Sequence, residues 1–254
     1  KQQKENAHLQ QFITKNKARA ATATMARSRQ KKLEGMEIIT IAKEKIKPVF
    51  SFKSARTPGK IVIEAKDLIL GYDEPLTRPV DIQIERNQKI AIKGVNGLGK
   101  STLIKTLLGI IKPIQGTVEH DQFVKYGYFK QEENASSKTA LQEIWDEYPS
   151  MTNAEVRAAL AKCGLTNEHI TSQMKVLSGG ENAKVRICHL MLQEFNLLVL
   201  DEPTNHLDIY AKDSLKEALQ KFKGTVILVS HEPEFYEDIA TDIWNLESWT
   251  TKII

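Results

Sequence analysis

The sequence predicts an α/β domain built on a mostly parallel sheet and preceded by a long basic helix. Three observations carry that prediction. From Ile61 onward, short apolar runs alternate with longer helical segments. One run, Leu197 to Leu200, is apolar without interruption, as a strand covered on both faces must be, and it ends in Asp201 and Glu202. Another, Lys89 to Lys93, leads straight into a glycine-rich turn followed by helix-forming residues.

The basic helix comes first. Lys1 to Glu34 contains no Pro or Gly and is rich in Gln, Lys, Ala, Arg and Leu, all good helix formers. Leu9, Phe12 and Ile13 give one short apolar stripe at helical spacing, and Ala18, Ala20, Ala21 and Ala23 make a slim surface ringed by basic residues. Gly35 is a plausible stop. Lys47-Pro48 and Thr57-Pro58-Gly59 mark an irregular joint, so the expected division is an arm over 1–57 and a domain over 58–254. Residues 1–60 hold fifteen Lys or Arg against four Glu, a balance of +11; with +4 for the whole chain, the remainder carries −7. A basic arm on an acidic body points to a polyphosphate backbone as partner, and Lys15, Lys17, Arg19, Arg27, Arg29, Lys31 and Lys32 are the candidate RNA contacts. A merely solvated helix is the alternative from charge alone.

Composition bounds the rest. The 254 residues leave room for one large domain and an appendage. No stretch reaches the roughly 18 to 20 apolar residues that span a bilayer, and the polar N-terminus has no secretory signal. The expectation is a soluble, cytoplasmic protein with no membrane partner. Because the chain begins with Lys, it is also expected to be part of something longer. Cys163 and Cys188 lack metal-ligand spacing and are expected to be buried, reduced thiols.

Within the domain, Ile61-Val62-Ile63 and Leu68-Ile69-Leu70 look like early strands. The glycine turn reads Gly94-Val95-Asn96-Gly97-Leu98-Gly99-Lys100-Ser101-Thr102, matching G-x-x-x-x-G-K-S. Glycines let the backbone curl with successive N–H groups inward, and the helix starting near Lys100 adds its positive end, so together they cradle an anion. In that pattern Lys100 reaches the β- and γ-phosphates of a nucleotide, and Ser101 is placed to ligate Mg²⁺. The strand ending at Leu200 delivers Asp201 where open α/β sheets bind ligands. Asp201 is expected to hold the Mg²⁺ shell and Glu202 to deprotonate an attacking water. Between loop and acids lies Leu177-Ser178-Gly179-Gly180-Glu181.

With those residues in view, the region from Ile61 to the end resembles the ATP-binding-cassette (ABC) family. The resemblance implies a P-loop NTPase with a mostly parallel sheet core, an antiparallel β subdomain and a helical signature subdomain over about 135–178. It implies an ATPase using ATP and Mg²⁺, in which Tyr72 stacks on adenine, Gln131 senses Mg²⁺ and the γ-phosphate, and His231 contacts the γ-phosphate. Gly94, Asn96, Gly97, Gly99, Lys100, Ser101 and Thr102 would bind the phosphates. Leu177 to Glu181 would be the signature, which in this family acts on the ATP of another cassette. A second cassette is therefore an expected partner, and an isolated single cassette is expected to hydrolyse slowly.

Pro203-Thr204-Asn205-His206-Leu207-Asp208 is similar to the form typical of the F subfamily, soluble twin-cassette proteins that act on ribosomes. Residues 8–37 resemble the end of the linker joining the two cassettes there. The chain thus looks like the second half of that linker plus the second cassette, with ribosome, rRNA and tRNA as implied partners. General translation, antibiotic resistance and ribosome assembly all remain open. So do two other classes, the ATPase subunit of a membrane transporter and an ATP-gated interaction module with little hydrolysis. Two positions depart from the subfamily's pattern: Asn182 stands where Gln is usual, a change expected to matter little, and Glu232-Pro233-Glu234-Phe235-Tyr236 follows His231.

Overall fold

The computed structural model describes residues 14–15, 47–130 and 136–250, and the chain divides into two units, 1–45 and 46–254. Of the first unit, Thr14 and Lys15 are described, both helical and exposed. Lys17, Arg19, Arg27, Arg29, Lys31 and Lys32 lie outside the described residues, and so does Gln131.

The second unit is organised around β8 (Leu197–Asp201), every residue of which is buried. It pairs in parallel with β9 (Thr225–Val229) on one side and β6 (Tyr126–Phe129) on the other; β4 (Lys89–Lys93) and β10 (Asp242–Asn245) extend the sheet beyond β9, giving the order β10-β4-β9-β8-β6. Alternate residues point to opposite faces of a strand, and the core divides accordingly. Leu198, Leu200, Val226 and Leu228 join one apolar cluster, while Leu197, Val199, Ile227 and Val229 join the other. Each such side chain contributes about 2 kcal/mol by leaving water, which is why an unbroken apolar run is stable here and would be insoluble on a sheet with one wet face.

The second cluster is closed by α1 (Lys100–Leu107), which buries Leu103, Ile104 and Leu107, and by an antiparallel sheet of β3 (Val80–Glu85), β2 (Ile61–Ile69) and β5 (Gln115–His120). The two early strands expected from Ile61 to Leu70 are one strand. The chain stays paired because a local irregularity absorbs the polar stretch between them: Asp67 adopts φ 50°, the register shifts between Ala65 and Leu68, and the Asp67 N–H donates to Asp81 Oδ1 at 2.8 Å.

The first cluster is closed by helices. α2 (Ala140–Trp145), α3 (Asn153–Lys162) and α4 (Asn167–Thr171) each begin with a threonine, Thr139, Thr152 or Thr166, whose side chain accepts from the third backbone N–H while the third side chain reaches back. Each such cap is worth about 1 kcal/mol. α5 (Gly179–Leu192) starts the same way, from Ser178 and Glu181, and α6 (Ile209–Lys221) is capped by Asp208. The short α7 (Pro233–Tyr236) follows β9. Cys163 and Cys188 are buried free thiols in this cluster. Residues 47–57, placed with the arm by the Pro and Gly joint, run along this unit: Phe50 is buried, its N–H donating to Ser214 Oγ, and β1 (Lys53–Ser54) pairs in parallel with β7 (Glu194–Phe195).

Candidate nucleotide site

The anion cradle forms where β4 gives way to α1. Gly94, Gly97 and Gly99 have φ of 147°, 84° and 91°, a region that side chains rarely enter. A Cβ on Gly99 would also stand 3.0 Å from Leu76 Cδ1, so this glycine lets the loop carrying Tyr72 close against the turn. Tyr72 itself is exposed. The first turn of α1 contains no acidic residue, leaving its positive end uncompensated. Lys100, buried, donates from Nζ to Gly94 O at 2.8 Å, Val95 O at 3.3 Å and Asn96 Oδ1 at 3.2 Å, and lies 3.0 Å from His231 Nε2. Burial pushes the Lys100 ammonium below its ordinary pKa, opposed by the charges of Glu202 and Asp201. An ammonium held by neutral acceptors at the floor of an N–H-lined turn suits a polyphosphate, whose oxygens are better acceptors than carbonyls.

The acids stand opposite. Asp201, 2% exposed at the end of β8, stands beside the Ser101 hydroxyl at the start of α1. Burial pushes its carboxyl above the usual range; the Ser101 hydroxyl and the Lys100 charge work the other way. A carboxylate and a hydroxyl converging from two elements form the hard-oxygen pair that Mg²⁺ takes. Among the described residues no cluster of three or more His, Cys, Asp or Glu with metal-binding geometry occurs, so a divalent ion here would keep water or substrate oxygens in its shell.

Glu202 adopts φ 51°, held by its own N–H donating to Val229 O at 3.0 Å. Its Oε1 lies 3.2 Å from His231 Nε2, and its Oε2 accepts from Asn205 Nδ2 at 2.8 Å. His231 follows β9 and also reaches Asn96 Oδ1 at 3.0 Å. Lys100, Asn96, His231 and Glu202, which come from three separate segments of the sequence, therefore meet around one imidazole nitrogen.

The pentapeptide Leu177 to Glu181 forms the entry to α5. Ser178 Oγ accepts from Glu181 N, and Glu181 Oε2 accepts from Ser178 N at 2.8 Å. Asn182, which stands where the subfamily usually has Gln, secures this entry: its Nδ2 donates to Met174 O, Leu177 O and Ser178 O at 3.0, 3.1 and 3.3 Å. Two partners of the pentapeptide escaped the sequence reading. His169 Nε2 lies 3.2 Å from Glu181 Oε1. His206, in left-handed conformation at φ 68°, lies so close that a Cβ on Gly179 would be 2.9 Å from its Cγ and one on Gly180 2.5 Å from its carbonyl oxygen. Nearby, Lys184 Nζ pairs with Asp208 Oδ2 at 3.0 Å. For the contacts of His206 and Asp208 the signal was the motif text itself, in which Asn205, His206 and Asp208 stand together; for His169 there was none.

This sheet, with a phosphate cradle at one strand end, an acid pair at the next and a helix entered through Ser-Gly-Gly-Glu, defines the ATP-hydrolysing cassettes of ABC type. Two family models described as ABC transporter match residues 77–205 and 1–52, and the chain belongs to the ABC transporter family. It is 58% identical over 255 residues to the ABC transporter ATP-binding protein YfmM of Bacillus subtilis, covering 100% of this chain and 49% of that protein. It is 36% identical over 253 residues to ABC transporter F family member 2 of Arabidopsis thaliana, covering 96% of this chain and 37% of that one. The chain thus spans half or less of the length of these relatives. A solved ABC transporter ATP-binding protein of Pyrococcus furiosus superposes with a TM-score of 0.61 at 25% identity, covering 74% of this chain and 99% of that one.

Proposed function

We propose that this chain is one ATP-hydrolysing half of a two-cassette clamp of the F-subfamily kind, which binds the ribosome and acts on translation. The observation that carries the chemistry is the meeting of Lys100, Asn96, His231 and Glu202 around one nitrogen beside the phosphate turn. In this reading Tyr72 stacks on adenine, and the backbone from Gly94 to Thr102 with Lys100 takes the phosphates. Ser101, Asp201 and Gln131 would hold Mg²⁺, which would supply positive charge beside the phosphate oxygens. Glu202 accepts a proton from the attacking water, and His231 steadies both carboxylate and γ-phosphate. Catalysis is then positioning plus charge neutralisation.

Ser178, Gly179 and Gly180 would complete the site of another cassette, supplied by the rest of the protein or by a second copy. Loss of the γ-phosphate reopens the pair, and work is done only on a partner that prefers one state over the other. Likeness to F-subfamily relatives, the Pro203-to-Asp208 text and the +11 balance over residues 1–60 support the ribosome, rRNA and tRNA as that partner. Among the described residues, no helix is long and apolar enough to cross a membrane. The test is capture from a lysate with Mg²⁺-ATP using the Glu202→Gln chain. Ribosomal RNA retained with ATP and lost without it is the expected result; a membrane permease in its place would assign the chain to a transporter.

A further inference from the structure

Tyr72 and the phosphate turn belong to different sheets, and the segment after β10 joins them. Tyr72 lies on the connection between β2 and β3 of the antiparallel sheet, whereas Gly94 follows β4 of the parallel one. The register of β10 on β4 sets Asn245 beside Lys93, the residue before Gly94. A single helical turn follows, Leu246–Ser248, closed by the Trp249 N–H donating to Leu246 O at 3.0 Å and by Ser248 Oγ donating to Asn245 O at 2.7 Å. Leu246 is fully buried against the phosphate turn, where a Cβ on Gly94 would be 3.4 Å from Leu246 Cβ. Trp249 packs on Trp244 of β10 with ring centroids 5.5 Å apart.

From that anchor the segment reaches the loop of the other sheet. Trp249 O accepts from the Arg78 N–H at 3.0 Å, and Thr250 Oγ1 donates to Leu76 O at 3.2 Å. Leu76 and Thr77 close the base of the Tyr72 loop: the Leu76 N–H donates to Leu70 O at 2.8 Å, and the Leu70 N–H donates to Thr77 Oγ1 at 3.0 Å. We propose that Leu246–Thr250 is a clasp, with Thr250 as its positioning residue, that sets the distance from the Tyr72 platform to the phosphate turn. The proposal rests on the reading of Tyr72 as the contact for the base. Two parts of one ligand held by two segments reinforce each other only when the segments stand at the ligand's own span, so a slack joint costs affinity without removing a contact. The phosphate turn is shaped by its own glycines and Lys100, and a ligand made of phosphate alone does not feel the joint. Nucleotide affinity therefore depends on the clasp, and triphosphate affinity does not.

The test uses the whole 254-residue chain, titrated by calorimetry with Mg²⁺-ATP and with inorganic triphosphate. Thr250→Val, which removes the donor at nearly constant shape, is expected to weaken ATP binding about 3- to 10-fold, the range of one lost hydrogen bond, while triphosphate binding stays within about twofold. Thr250→Ser keeps the donor and should bind ATP as the parent chain does. In the Tyr72→Ala background, Thr250→Val should weaken ATP binding no further, because the loop then carries nothing to aim.

ATP binding unchanged in Thr250→Val, an equal loss for ATP and triphosphate, a Ser variant as weak as the Val variant, or a loss that adds in full to that of Tyr72→Ala would each overturn the positioning role. Failure of the underlying reading looks different: Tyr72→Ala by itself would then bind ATP with the parent affinity.

Discussion

Lys100 Nζ and His231 Nε2 lie 3.0 Å apart, and Asn96 Oδ1 is within hydrogen-bond reach of both, at 3.2 and 3.0 Å. Without a nucleotide, the lysine's three proton donors are thus directed at two backbone carbonyls and the Asn96 amide oxygen. A triphosphate exchanges these neutral acceptors for charged ones, so its binding replaces contacts and leaves no ammonium newly buried. Lys100→Ala should weaken ATP binding about 100-fold, equivalent to roughly 2.7 kcal/mol, by calorimetry. Burial opposes the Lys100 charge, so the same change should move the melting midpoint by no more than about 3 °C.

Glu181 supplies a pH dependence. Burial pushes its carboxyl up, but hydrogen bonds from Ser178 and the nearby charges of His169 and Lys184 outweigh burial and hold it below the ordinary carboxylate range. A depressed carboxyl stabilises the fold above its unfolded pKa and loses that contribution as pH falls through the folded value. The stability gap between the parent chain and Glu181→Gln should therefore be full at neutral pH and shrink below about pH 4.5. Urea titrations of the pair at pH 7 and pH 4 measure it, and a gap widening towards acid would contradict the assignment.

Much of this site was legible in the sequence because short stretches of chain impose it. A strand running into Gly94 to Thr102, and an apolar run ending at Asp201, fix cradle and acid wherever the sheet lies. The structure departs from the reading where a contact joins distant residues. Asp67 bridges what looked like two strands because Asp81, fourteen residues on, accepts its N–H. His206 meets Gly179 across twenty-seven positions, and nothing in either local pattern announces it. β1 has two exposed residues and no apolar run, so its pairing with β7 follows from docking alone.

The Asn182 amide serves three carbonyls around the start of α5. Asn182→Ala leaves those acceptors with only weak replacements and should lower stability by about 1 to 2 kcal/mol. In a domain of this size that is a fall of roughly 3 to 8 °C in melting midpoint. A calorimetric scan of the two chains decides it, and equal midpoints would contradict this anchoring role.

The pairing of Ser101 with Asp201 sets expectations for metal removal. Excess EDTA should abolish hydrolysis while leaving the folded chain intact by circular dichroism, because the core around Asp201 is built from apolar strands and helices. Ser101→Ala should raise the Mg²⁺ concentration needed for half-maximal hydrolysis by about 10-fold or more, as loss of one ligand does. An unchanged Mg²⁺ requirement would remove Ser101 from the metal shell.

The most direct measurement is the rate of ATP hydrolysis per chain as protein concentration is raised from dilute monomer. Completion of each site by another cassette's Ser178-Gly179-Gly180 requires turnover that is slow when dilute and rises with concentration until pairing saturates. Glu202→Gln should show ATP-dependent pairing in sedimentation without that turnover. Fast, concentration-independent hydrolysis by a monomer would contradict the two-cassette mechanism at its root.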